Sequence, residues 1–458
     1  MTRVQRDVTT ALADFCTGLR YEDLPPPVVQ RTKELFLDFL GVACGGRTDE
    51  SAGPLLRAVA RLGGRGHDEA SVVGEEERYA AHYAALLNGA FAHSQDFDDT
   101  HREAVLHPGV PVFATLLALG EATRASGRDF LTAAVVGYEV SCRLGRAHGE
   151  AVHGRGFHPT ATTGVFGATA AGARLLGLGR QALLDAWGLN LSQAAGTFQF
   201  LENGAWNKRV HVGLAAHNAI VALAMAREGV TGAANPFLGR FGYYFSYAGI
   251  EPDLEAALAD LGRQFEVMNT AVKPYPCCRY SHPVIDGLAE LARAHGLRPE
   301  EVEAVEVGLP RAGMPVVGEP EAPKKAPANV VDAQFSVYFA AAVALLEGGF
   351  TWQSYGRLRD PAVVALMGRV RAYACPLEGL SARVAVLTRR GERYESDVPL
   401  AKGEPERPLT WEELLAKFRP LAEPVLGPAA EELVSVVEGL ERVPDLTAVA
   451  RLLRPSGR

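Results

Sequence analysis

Apolar residues recur at intervals of three and four through about the first 265 positions, the period of helices that bury one face. VVQRTKELFLDFLGVACGG, GRDFLTAAVVGYEVSCRLG, RQALLDAWGLNLSQAAG and GLAAHNAIVALAMAREGVTG carry this pattern, and the first of them runs into a glycine stop. TATTGVFGATAAGARLLGLG is crowded with Ala, Gly and Thr, a composition that lets helix backbones approach closely in a packed interior. No segment of fixed length repeats, so the pattern describes a helical bundle.

After Met268 the period changes. Val305, Val307 and Leu309 alternate with Ala304, Glu306 and Gly308 as in a half-buried strand, and SARVAVLTRRGERYESDVPL alternates on both sides of Arg390-Gly391 as in a hairpin. SHPVIDGLAELARAHG and VVDAQFSVYFAAAVALLEGG read as helices between them. Helical signal returns at Thr410, with Glu413 three residues after this N-cap, and continues through EELVSVVEGLERV and LTAVARLLR. The fold class expected is mainly α: a large all-helical domain built from both chain ends, 1–268 and 402–458, with a smaller α+β lid domain inserted over 269–401. A cleft between two such bodies is where a small ligand would be expected.

Composition narrows the function. The 458 residues exceed what one core usually holds, and 48% apolar content suffices for a deep interior. A net charge of −8 without a basic cluster gives no footprint for nucleic acid or an anionic membrane. MTRVQRDVTTALADFCTGL is broken by charge too early for a signal peptide, and no uninterrupted apolar run is long enough for a membrane helix, so a cytoplasmic protein is expected. Cys16, Cys44, Cys142, Cys277, Cys278 and Cys375 are scattered without zinc or iron–sulfur spacing. The adjacent Cys277 and Cys278 fit small pocket-lining residues better than nucleophiles.

The densest chemistry lies in HSQDFDDTHREAVLHPGVP, positions 93 to 111. His93, Asp96, Thr100, Glu103 and His107 follow one another at helical spacing, which predicts a polar stripe facing inward, with Pro108 and Gly109 stopping the helix. A solvated surface face is the plain alternative, although such faces are usually rich in Lys and Glu. GRGFHPTATTG places His158 before a proline and a small-residue helix, where a satisfied core histidine is the competing reading. ENGAWNKRVHVG sets Lys208 beside Arg209, which could equally be a solvated pair. VKPYPCCRYSHP holds Lys273, Arg279 and His282 within ten residues among three prolines that stiffen the loop, an arrangement packing alone does not explain.

Several cations suit a substrate with several carboxylates, and the acid–base groups suit proton removal beside a carboxylate followed by loss of a protonated hydroxyl. The residues thus point to a metal-independent lyase acting by dehydration on a hydroxy polycarboxylate, with no cofactor. Asp98-Asp99 with Glu103 also has the look of a magnesium cluster of class I terpene synthases, but no second magnesium motif follows. A non-catalytic polycarboxylate sensor is a third reading.

DFDDTH with the following HPG, GFHPT, the stretch Asn203 to Lys208, and KPYPCCRYSHP with the later DAQFS together resemble the MmgE/PrpD family. That family includes 2-methylcitrate dehydratase, cis-aconitate decarboxylase and an iminodisuccinate epimerase. The resemblance implies a helical domain with an inserted α+β lid, a homodimer, and a small di- or tricarboxylate substrate. Dehydration of a 2-methylcitrate-like acid is the expected activity, with decarboxylation of a cis-aconitate-like acid or epimerisation of an iminodisuccinate-like acid as alternatives. By resemblance to the decarboxylase the active-site positions fall on Asp96, Thr100, His107, His158, Lys208, Lys273 and His282, with Tyr338 in the helix after DAQFS added. His107 sits one residue further from Thr100 than in the decarboxylase pattern. His158 is the expected proton-transferring group, His107 or His282 the second acid–base group, Asp96 and Thr100 orienting groups, and Lys208, Lys273 and Arg279 carboxylate binders.

Overall fold

The computed structural model of the protein describes residues 8–455. The first seven residues of the charged N-terminal stretch lie outside them. The architecture is mainly α. Two compact units are formed: one from the stretch ending at Ser94, Asp98–Ala271 and Thr410 onward, the other from Gln95–Phe97 and Val272–Leu409.

The first unit is a bundle whose central helices are Pro26–Arg47, Ala81–Ala92, Gly109–Thr123, Gly127–His148, Gly164–Leu175 and Asn207–Arg227. Small residues set how closely they meet. A Cβ at Gly167 would lie 1.8 Å from Ser141 Oγ, and one at Gly213 would lie 2.3 Å from the carbonyl oxygen of Leu86. The Asn207–Arg227 helix therefore lies directly against the backbone of Ala81–Ala92, which fixes the place of the polar residues at its start. It is also the one helix among the described residues long and apolar enough to cross a membrane, and more than half of its apolar window is buried inside the protein. The glycines of VACGG do not stop the first long helix, which runs through Gly45 and Gly46 to Arg47 because Gly46 is packed against the backbone of Phe91.

Two short antiparallel ladders interrupt the helical reading, Arg65–Ser71 with Arg78–Tyr79 and Thr100–His101 with Thr270–Ala271. The second is held by a buried ionic network. Glu266 accepts from His101 Nε2 at 2.9 Å and Arg146 Nη1 at 2.6 Å, while Glu139 accepts from Arg143 Nε at 2.6 Å and from the Glu266 amide. Arg143, itself fully buried, turns its remaining donors to the carbonyls of Ala257, Ala259 and Gln264. Removing Glu139 would leave the buried Arg143 guanidinium without its hydrogen-bonded carboxylate.

The second unit has a four-stranded sheet in the order Val370–Ala374, Val302–Leu309, Ala382–Thr388, Arg393–Val398. Val370–Ala374 pairs in parallel and the rest antiparallel. Val305, Val307 and Leu309 are buried as their alternation requires, and the hairpin turns at Gly391 with φ 84°. Helices His282–His295 and Val337–Glu347 carry the apolar side chains that complete this core. Ser336 caps the second of these, so VVDAQFSVYFAAAVALLEGG breaks into two helices at Phe335. The chain returns to the first unit with Trp411–Leu426, whose N-terminus carries the expected Thr410–Glu413 capping box.

Replacing Gly213 with Ala is expected to destabilise the protein by about 1–3 kcal/mol, because the added methyl meets backbone instead of a movable side chain. Denaturant unfolding of the two proteins checks it; an unchanged midpoint would contradict the close helix approach.

Candidate active site

The helix Ala81–Ala92 ends at His93, and the chain does not continue as a helix. Residues 93–108 form turns around the Thr100–His101 strand, and the next helix starts at Gly109 with Pro108 as its cap. The expected helical stripe of His93, Asp96, Thr100, Glu103 and His107 is therefore absent. Two adjacent aspartates instead fold the loop back on itself. Asp98 Oδ2 accepts from His93 Nδ1 at 2.8 Å and lies 3.0 Å from His107 Nδ1. Asp99 accepts from the Gly109 amide at 3.0 Å and from the Tyr138 hydroxyl. A Cβ at position 109 would collide with both Asp99 and Tyr138, which explains a glycine after His-Pro. Val105, a β-branched residue at φ 54°, sits in the strained turn that brings His107 back.

Around Asp98 the first unit gathers imidazoles. The His93 ring lies edge-on to His107, with centroids 4.8 Å apart, and stacks on His158 at 5.4 Å. His158 Nδ1 is in turn 3.4 Å from His211 Nδ1. His158 caps a helical turn begun by Pro159, and its own amide donates to Gly196. Lys208 starts the Asn207–Arg227 helix one turn before His211, and its charge acts on both His93 and His158.

Burial decides the protonation states. It pulls His93 down to about 4, with Asp98 working the other way and Lys208 adding to the fall. Burial, then the charges of His93 and Lys208, hold His158 well below the usual imidazole range. Burial alone would raise Asp98, but His107 and His93 together hold it well below the usual carboxylate range. Burial lifts Asp99 to about 7 despite the hydrogen bond from Tyr138. At neutral pH His93 and His158 are therefore neutral, and Asp98 is a carboxylate. His93, Asp98 and His107 also bring three ligand atoms within 4.8 Å of one another. Their Nδ1–Oδ2 separations are 2.8 and 3.0 Å, and the first is a hydrogen bond.

Asp96, at φ 52°, belongs to the second unit, where Lys273 Nζ donates to its carboxylate at 2.9 Å and its carbonyl at 2.8 Å. A non-glycine residue in the left-handed region costs on the order of 1–3 kcal/mol and is held there by its surroundings. His282 begins a helix and donates from Nε2 to the Cys277 carbonyl at 3.0 Å; burial and then Lys273 push it down to about 3. Arg279 grips the Glu404 carboxylate through Nε and Nη2, so its fork already holds an internal carboxylate. Tyr338 is part of the second unit's core and donates to the Gly318 carbonyl. Burial lifts the Cys277 thiol far above its ordinary value, which leaves it a poor nucleophile.

In the first unit, Thr100 is buried with its hydroxyl unpaired among the described residues. Arg209 is buried and donates to Ser51. Glu103 is exposed and pairs with Arg146. Asp98, Asp99 and Glu103 thus face three different partners and do not form the carboxylate set that magnesium would need. Sequence reasoning missed His93 as a ring of the cluster's centre, Asp98 as its anion, and His211. Their signal was spacing: His93 lies five residues before Asp98, and His211 three after Lys208 on the same helix face.

Buried imidazoles held neutral beside a carboxylate, as His93 and His158 are, are the equipment of a proton-transfer site. The chain belongs to the MmgE/PrpD family: the family's N-terminal domain matches residues 10–254 and its C-terminal domain residues 275–441. It is similar to the cis-aconitate decarboxylase-like protein oryM of Aspergillus oryzae, at 28% identity over 98% of this chain and 97% of that protein. It is equally similar to the cis-aconitate decarboxylase of Homo sapiens, at 28% over 98% and 95%, and to that of Aspergillus terreus, at 28% over 97% and 96%.

Exchanging Asp98 for Asn should cost about 1.5–3 kcal/mol at pH 7, the scale of hydrogen bonds to a charged group. Asp98 is lowered in the folded state, so its contribution is present above the ordinary value of 3.8 and is lost as pH falls through the folded value. Denaturation curves at pH 7 and in acid should show the gap between wild type and variant closing only in acid. A gap that does not depend on pH would contradict the arrangement.

Proposed function

We propose that the protein is a lyase that works by proton transfer on a small tricarboxylate, decarboxylating a cis-aconitate-like acid. The observation that carries this reading is the convergence of His93, His107, His158 and Lys208 about the Asp98 carboxylate. The names of its relatives favour decarboxylation over the dehydration first expected from the residues.

Decarboxylation leaves an electron pair on carbon and needs one proton to replace the carbon dioxide lost. An imidazole held neutral by burial becomes a proton donor once a polyanionic substrate sits beside it, because the substrate's charge favours imidazolium. His158 is assigned that donation. His107, oriented by Asp98, is the second acid–base group, and Thr100 offers an unspent hydroxyl to a substrate oxygen. Lys208 offsets one substrate carboxylate, where its fixed charge also stabilises the enolate-like transition state. In the second unit Lys273 and His282 are carried forward from the resemblance, Lys273 as a carboxylate binder that would exchange Asp96 for substrate. Arg279 serves less directly, through its pairing with Glu404.

The test is incubation of purified protein with cis-aconitate, 2-methylcitrate and aspartate-derived acids in heavy water, followed by proton NMR. Release of carbon dioxide from cis-aconitate with one deuterium incorporated per product is expected. His158→Ala should lower kcat by about 100-fold or more with a smaller effect on substrate affinity. Water loss from 2-methylcitrate would restore the dehydratase reading, deuterium exchange with no net loss would indicate an epimerase, and full activity of the variant would overturn the role of His158.

A further inference from the structure

His211 lies on the Asn207–Arg227 helix, half-buried, one turn after Lys208. The 3.4 Å between its Nδ1 and that of His158 requires one nitrogen to carry the hydrogen and the other the lone pair. The ring is held where it is. A Cβ at Gly196 would lie 3.1 Å from His211 Nδ1 and 3.2 Å from its Cγ, and Gly196 has φ 133°, so the bare backbone there forms a wall for the imidazole. The carbonyl of the same Gly196 accepts the His158 amide at 3.0 Å. Phe200 meets the same ring edge-on, with centroids 6.0 Å apart. One glycine thus places both histidines.

We propose that His211 is a positioning residue for His158: its Nδ1 accepts the His158 Nδ1–H and so makes Nε2 of His158 the nitrogen that gives the proton to substrate. The inference rests on the decarboxylation reading above and deepens it. The titratable groups that face His158 are His93 at the end of Ala81–Ala92, His107 in the loop before Gly109, and Lys208 and His211 on the Asn207–Arg227 helix. The first three act on it by ring contact or charge, whereas His211 places a ring nitrogen within sharing distance.

The step balances. The bond from carbon to the departing carboxylate breaks, its electron pair stays on carbon, and carbon dioxide leaves. Carbon then takes the Nε2 proton of His158 imidazolium, which becomes neutral with its remaining proton on Nδ1, shared with His211. Nε2 takes one proton from solvent as the next substrate binds, so a trianion and one proton give a dianion and carbon dioxide.

Two variants of the full chain test this, His211→Ala and His211→Asn, the second keeping an acceptor oxygen near the place of Nδ1. With 15N-histidine label at pH 7, wild type should show His158 as the Nδ1–H tautomer; the Ala variant should lose that preference and the Asn variant keep it. In turnover of cis-aconitate, His211→Ala should lose about tenfold or more in kcat with KM within about twofold, and His211→Asn should recover much of the loss. An unchanged tautomer and kcat in the Ala variant would overturn the proposal. So would equal losses in both variants accompanied by lowered thermal stability, the mark of a packing role. The tautomer measurement needs no substrate, so it decides the role of His211 even if wild type does not decarboxylate cis-aconitate.

Discussion

A carboxylate buried without compensation would take up a proton, and Asp98 avoids this by sharing one oxygen between two imidazoles. That arrangement stabilises the anion and fixes the rings at once. His93 and His107 can turn only so far before they lose the oxygen, and His158 stacks on the first of them. The remaining structure of the first unit acts to keep this loop in place. Asp99 ties the far end of the loop to Tyr138 and Gly109, and Glu266 ties its strand to Arg146 through His101. Each tie is a buried polar contact whose loss would strand a charge or a donor, so the loop is specified more tightly than apolar packing would specify it.

Helix packing supplies the other half of the site. Lys208 and His211 stand at the start of a helix that could not lie so close to Ala81–Ala92 if Gly213 carried a side chain. Gly89 on the facing helix is equally constrained: a Cβ there would be 3.0 Å from Gly213 Cα. The small residues spread through the first 265 positions therefore position chemistry as well as fill space.

Much of this was legible in the sequence. The helical period, the strand alternation at Val305 to Leu309, the hairpin at Gly391 and the capping box at Thr410 all depend on local spacing, and all appear where that spacing puts them. Candidate residues were legible as types: His107, His158 and Lys208 do meet in one unit, and Lys273 and His282 lie together in the other. What misled was the spacing from His93 to His107. Intervals of three and four normally mean a helix, but here side chains of the segment itself compete for its backbone and loop amides, and the Asp98 and Asp99 contacts win. Arg65–Ser71 was missed as a strand because its first five residues are exposed and carry no apolar side chain, leaving no alternation to read. The Arg279–Glu404 pair joins residues 125 apart, which no local pattern could indicate.

The account as a whole depends on imidazoles that stay neutral in a closed interior until a polyanion arrives. The most direct test is a pH titration of the His93 ring by NMR in substrate-free protein. Burial predicts a midpoint near 4, well below the ordinary 6.5. A midpoint at or above 6.5 would mean that the ring meets water freely, and the buried cluster around Asp98 would not exist as described.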